Sequence, residues 1–249
     1  MQNSLTMPLL KLSLIYVILL VNNVSYALEQ SKLEQSLHQY YQLNIDINRY
    51  WMNDNSLKYK AKTEESLELM HQAMSDLLEQ QYSAEEYLII KNNWVNVSNF
   101  IKKTALIEKG YTDIALIASY RVFLDKMRLA MLKRYHQNPP TSDISNLLML
   151  FDRVISTYVE INTDVFGSFI RSATDDDMNL IKLAKNINLS LDSIAKSESI
   201  SKEDLKLINT KWNFIRHIVT DSNSQSLPFI VLLNGQKIIK TIEHYHEPR

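Results

Sequence analysis

Ser201-Lys202-Glu203-Asp204-Leu205-Lys206-Leu207-Ile208-Asn209-Thr210-Lys211-Trp212 decides the fold. A Ser directly ahead of acidic residues is a helix start, because its hydroxyl accepts from a first-turn N–H and the carboxylates face the positive end of the helix dipole. Ile208, Trp212, Ile215 and Val219 then fall at helical spacing on one face. The same arrangement stands earlier in the chain: Ser83 precedes Ala84-Glu85-Glu86, and Ile90, Trp94, Val97 and Ile101 make the stripe. Caps and stripes are both 118 residues apart. A cap, an acidic first turn, a Trp and three aliphatics in register predict a duplicated module.

Working outward, Leu116, Tyr120, Phe123 and Met127 form a stripe after the first Trp helix, and Val231, Gly235, Ile238 and Ile242 form its counterpart at an offset of 115. Helix breaks are expected near Asn53–Ser56, Gln81–Ser83, Gly110, Ala173-Thr174, Ser197–Ser201 and Asp221–Ser226. Asn138-Pro139-Pro140 is the strongest, since two consecutive prolines end a helix. These breaks predict four helices on each side. The expected fold is all-α, with two tandem antiparallel four-helix-bundle-like modules, residues 28–138 and 139–249, after a signal peptide at 1–27. Trp94 and Trp212 read as core anchors.

The signal reading rests on Lys11, an apolar run from Leu12 to Val21, and the small residues Ser25 and Ala27 where a signal peptidase reads. Cleavage is expected after Ala27. The apolar run is about half of the ~20 residues a spanning helix needs, and no later stretch approaches that length. An exported chain without Cys fits a bacterial periplasm. Asn96-Val97-Ser98 and Asn188-Leu189-Ser190 match a glycosylation pattern but fall within helical patterns, and read as chance.

Composition excludes several chemistries. Lys and Arg number 27 against 28 Asp and Glu, so no basic excess is available for phosphate neutralisation, and nucleic acid is not an expected partner. With no Cys, thiol nucleophiles and thiolate metal sites are absent. Three Gly leave almost no room for phosphate-cradling loops. No Ser-His-Asp arrangement emerges from spacing, so no catalytic residues and no cofactor are expected.

Two Glu-x-x-His pairs, Glu68 with His71 and Glu243 with His246, place a carboxylate and an imidazole on one helical face, as di-iron bundles do. They lie in different halves, and the second is within seven residues of the chain end. No metal site is expected from them. His244, His246 and Glu247 read as a polar end, and Asp175-Asp176-Asp177 as the acidic first turn of a helix. The charge cluster that suggests recognition is Arg121, Lys126, Arg128, Lys133 and Arg134. Arg121 and Arg128, seven apart beside an apolar stripe, are the expected ligand- or partner-binding residues, able to hold an anion or a partner's carboxylates.

The run Leu207-Ile208-Asn209-Thr210-Lys211-Trp212, with Ser226-Leu227-Pro228-Phe229-Ile230-Val231-Leu232-Leu233-Asn234 continuing to Ile238, Ile242 and Tyr245, resembles the PilJ-type sensor module. That module is the amino-terminal domain of type IV pilus methyl-accepting chemotaxis transducers. The resemblance implies a helical, extracytoplasmic sensory or partner-binding bundle, often present in tandem pairs. The expected function is therefore a periplasmic binding or adaptor protein for a small anionic ligand or an envelope protein partner, with a homodimer as one possible form. The alternative is a structural or assembly component of an envelope complex. A binding module should break its apolar seams with a pocket or buried Arg and His side chains; a spacer should not.

Overall fold

The computed structural model describes residues 6–52, 57–79, 85–103, 114–137, 140–163, 179–221 and 227–246. All of its regular structure is helical: α1 (Thr6–Met52), α2 (Leu57–Leu78), α3 (Glu85–Lys103), α4 (Ile114–Gln137), α5 (Asp143–Thr163), α6 (Leu180–Ser197), α7 (Lys202–Thr220) and α8 (Pro228–His246). Four described helices precede Pro140 and four follow it. The expected breaks at Asn53–Ser56, Gly110 and Ala173-Thr174, the Ser83 cap and Asp175-Asp176-Asp177 lie outside the described residues.

The first four helices each touch the next, and α1 touches α4. Likewise α5 to α8 touch in order, with α8 returning to α5. Two apolar cores result. The first gathers Leu37, Met70, Trp94, Tyr120 and Met127, the second Phe151, Ile187, Trp212 and Ile238. They interlock, since Ile45 of α1 belongs to the second core and Met149 of α5 to the first. The hydroxyl of Thr63 on α2 donates to the Asp46 carbonyl, and that of Ser36 on α1 to the Ala73 carbonyl, so α1 and α2 run antiparallel.

The two groups meet side by side through α1 and α5. Glu34 accepts from Thr141, His38 and Gln42 meet Asp152, and Asn44 donates to Ser156 and Glu160, so the two helices run parallel. From Leu147 to Val159 every residue of α5 is buried, including Asp152 and Arg153. A helix buried on every side sits at the centre of a fold. On α8, a Cβ at Gly235 would stand 2.6 Å from the Ile155 side chain, so this glycine permits the close approach of α5 and α8.

The Ser201 cap forms as its sequence predicts, accepting from the Asp204 N–H at 3.1 Å. The Asp204 carboxylate does not close a capping box. It accepts from the Ser201 hydroxyl and the Tyr245 hydroxyl, and the Ser201 N–H donates to the Tyr245 oxygen. A tyrosine of α8 thus replaces the local contact and ties α7 to α8. Both Trp stripes face inward, with Ile90, Trp94, Val97, Ile208, Trp212, Ile215 and Val219 buried. The Ile101 and Leu116 side chains lie outside the described set. Asn96 and Asn188 are within α3 and α6, and Asn188 accepts from the Trp212 indole at 2.8 Å.

Helix α1 continues without interruption through Ala27. No described helix is long and apolar enough to cross a membrane.

Candidate functional site: a charged cleft at the seam

The seam between the two groups carries a chain of charged side chains. His38, on the face of α1 turned to α5, brings Nδ1 within 2.6 Å of Asp152 Oδ2. Its Nε2 lies 3.2 Å from Glu243 on α8. The second Asp152 oxygen accepts from Gln42 at 2.7 Å. Asp152 is fully buried, and an unpaired carboxylate there would be costly. Burial alone would lower the His38 pKa, but the charge and hydrogen bond of Asp152, followed by those of Glu243, push it up to about 10. Hydrogen bonding to His38 holds Glu243 below the usual carboxylate range against its desolvation. His38 is therefore a cation at neutral pH. With each ring nitrogen committed to a carboxylate, it keeps no lone pair for proton abstraction, and its chemistry is that of a clamp joining three helices.

Beside the clamp a cleft of about 680 Å³ opens between α1, α2 and α8. Helix α1 lines it with His38, Gln42, Asp46 and Arg49, which recur every three or four residues and so share one face. At ~1.5 Å per residue, this face is roughly 16 Å long. Helix α2 contributes Lys58, Tyr59, Lys62, Glu65 and Ser66, and α8 contributes Gln236, Lys240 and Glu243. The Arg49 guanidinium donates to Gln236 at 3.0 Å and lies 4.7 Å over the Tyr59 ring, which holds its plane at one end. Four basic side chains, with protonated His38, face three carboxylates, so the lining is net positive.

Asp46 occupies the wall between these charges. It is 3 % exposed; one oxygen accepts from Ser66, and Oδ1 has no hydrogen-bond partner. Burial pushes its carboxyl up, opposed by the Ser66 hydrogen bond and the Lys62 and Arg49 charges. A second cleft, of about 390 Å³ near Tyr158, Asn179 and Asp221, has a smaller charged lining.

The residues expected from sequence lie elsewhere. Arg121 is half-buried on α4. Arg128 is only 4 % exposed, and its guanidinium donates twice to Asp125 on the same helix. Neither lines the described clefts. Of the rest of that cluster, Lys133 pairs with Glu86 and Arg134 grips Glu29 through two nitrogens, so they join α4 to α3 and α1. Glu68 and His71 are exposed on α2, with the His71 ring 6.0 Å from Trp94, whereas Glu243 turns to His38. Among the described residues no group of three or more His, Asp or Glu is placed to hold a metal ion.

The clamp was legible in part. Asp152-Arg153 interrupts the apolar run Leu147–Ile155, and a charged pair within a buried helix needs partners from other elements. Which partner answered Asp152 was not legible, because His38 stands 114 residues earlier. Compared with protein-family models, curated proteins and solved structures, the chain matches none.

Proposed function

We propose that this chain is an exported, periplasmic binding or adaptor module: two tandem, duplicated four-helix bundles of the PilJ-like sensor kind, joined along α1 and α5, that recognise a small ligand at the cleft between α1, α2 and α8. The observation that carries the reading is the cleft itself, where basic, acidic and amide side chains from three helices converge around a volume of about 680 Å³. Concave sites with a few converging polar groups are where small molecules bind. Buried Asp152, Arg128 and Arg153, with half-buried His38 against Asp152, further support a binding module over a spacer, because a spacer gains nothing from desolvating charge.

The cleft spans the junction of the two groups, with α1 and α2 on one side and α8 on the other. A ligand held there contacts both and changes how firmly they are joined, which is the requirement for passing a signal to an envelope partner.

One feature favours the alternative of an assembly component. Leu207 and Phe214 stand seven apart on α7, Phe229 and Leu233 four apart on α8, and all four are exposed. Thermal-shift titration with a panel of small metabolites, run beside affinity capture from envelope extract, separates the two. A shift abolished by Lys240→Glu, with the control Lys202→Glu unchanged, supports cleft binding. A flat panel with a stable captured partner supports the assembly reading.

A further inference from the structure

The cleft carries both signs of charge in a defined order, and one of its groups is incomplete. Arg49 and Asp46 are three residues apart on α1, so their side chains leave one helical face about 5 to 6 Å apart. Lys62 and Ser66, four apart on α2, border the same stretch of cleft, and Lys240 borders it from α8. Asp46 Oδ1 is enclosed and without a donor, although its sister oxygen is held by Ser66. Buried carboxylate oxygens are ordinarily hydrogen-bonded, so this one is an unsatisfied acceptor enclosed in the cleft wall, which a donor reaches when the Asp46 side chain turns toward the cleft, in a site otherwise rich in donors for an anion.

Resting on the binding reading above, we propose that the cleft recognises a free α-amino acid, with the ligand's ammonium donating to Asp46 and its carboxylate held by Arg49, Lys62 and Lys240. An α-amino acid places its two charged groups on adjacent carbons, matching a carboxylate and a guanidinium that leave one helix face three residues apart. A simple anion would satisfy the basic groups and leave Asp46 Oδ1 without a donor. A simple amine would satisfy Asp46 but add a further positive charge beside Arg49 and Lys240, whereas Lys62 already pairs with Glu65 at 2.9 Å. The remaining volume, bordered by Gln42 and Gln236, suits a polar side chain.

The test is calorimetric titration of the purified chain with the twenty amino acids, with acetate, succinate and phosphate, and with methylamine and putrescine. The expected result is binding by one or a few amino acids, weakened at least tenfold when either the ammonium is acetylated or the carboxylate is esterified. Asp46→Asn is expected to weaken the amino acid at least tenfold while leaving its N-acetyl form unchanged. Circular dichroism establishes whether that variant folds, and if it does not, the N-acetyl and ester comparison on the unaltered chain decides alone. Anions or amines binding as tightly as any amino acid would overturn this proposal while leaving the cleft as a binding site. Silence across the whole panel would overturn both.

Discussion

His38 Nδ1 and Asp152 Oδ2 meet at 2.6 Å across the seam of α1 and α5, and the imidazole's other nitrogen reaches Glu243 on α8. One ring thereby neutralises a fully buried carboxylate and ties the two groups of helices together.

The pH dependence of folding follows from that ring. His38 is raised from 6.5 to about 10 on folding, so its contribution is fully present below pH 6.5 and is lost as pH rises through about 10. The melting temperature is expected to fall across this window, and His38→Gln should flatten the fall. Removing the cation strands Asp152, at a cost of ~3 to 5 kcal/mol at neutral pH. Urea unfolding of both proteins at pH 6 and pH 9.5 checks the sign; a steeper fall in the variant would refute it.

Trp212 and Trp94 provide a test of equivalence between the two groups. Each is buried on the third helix of its group, and truncation to Ala should cost ~3 to 5 kcal/mol in either case. Trp212→Phe is expected to cost a further ~1 kcal/mol beyond lost area, because the Asn188 carbonyl loses its indole donor. Denaturant midpoints of the three variants settle the order.

Arg128 is expected to matter for folding. Charge reversal at a surface site changes stability by no more than ~0.5 kcal/mol, but Arg128 is buried against Asp125. Arg128→Glu should therefore cost ~3 kcal/mol or more, because it puts a carboxylate at a buried position beside the Asp125 carboxylate. Arg121→Glu, at a half-buried position, should cost less. If both variants melted like the parent protein, the burial of Arg128 would be wrong.

Gly235 is the close-approach point of α5 and α8, since a Cβ there would meet Ile155 at 2.6 Å. Gly235→Val should destabilise by ~1 to 3 kcal/mol through overpacking, despite the better helix propensity of Val over Gly. Combining it with Ile155→Ala should recover part of the loss. Simple additivity in that double-mutant cycle would show that the two positions do not touch.

The sequence by itself determined the helical class, the inward faces of the Trp helices and the Ser201 cap, because each depends on residues within two turns of one another. Spacing of three and four sets a face, and a Ser hydroxyl reaches an N–H three residues on, whatever the rest of the chain does. Tertiary structure alone decided the cleft and the clamp. Asp46, Lys62 and Lys240 stand on three helices, and nothing in their local patterns distinguishes them from residues of a solvated face. The basic cluster on α4 shows the reverse case: it is conspicuous along the chain, yet Lys133 and Arg134 turn to Glu86 and Glu29 once the helices pack. Charge is written in the sequence, but whether it meets solvent, a ligand or an opposite charge depends on which helix faces lie within a few ångströms, and packing sets that distance.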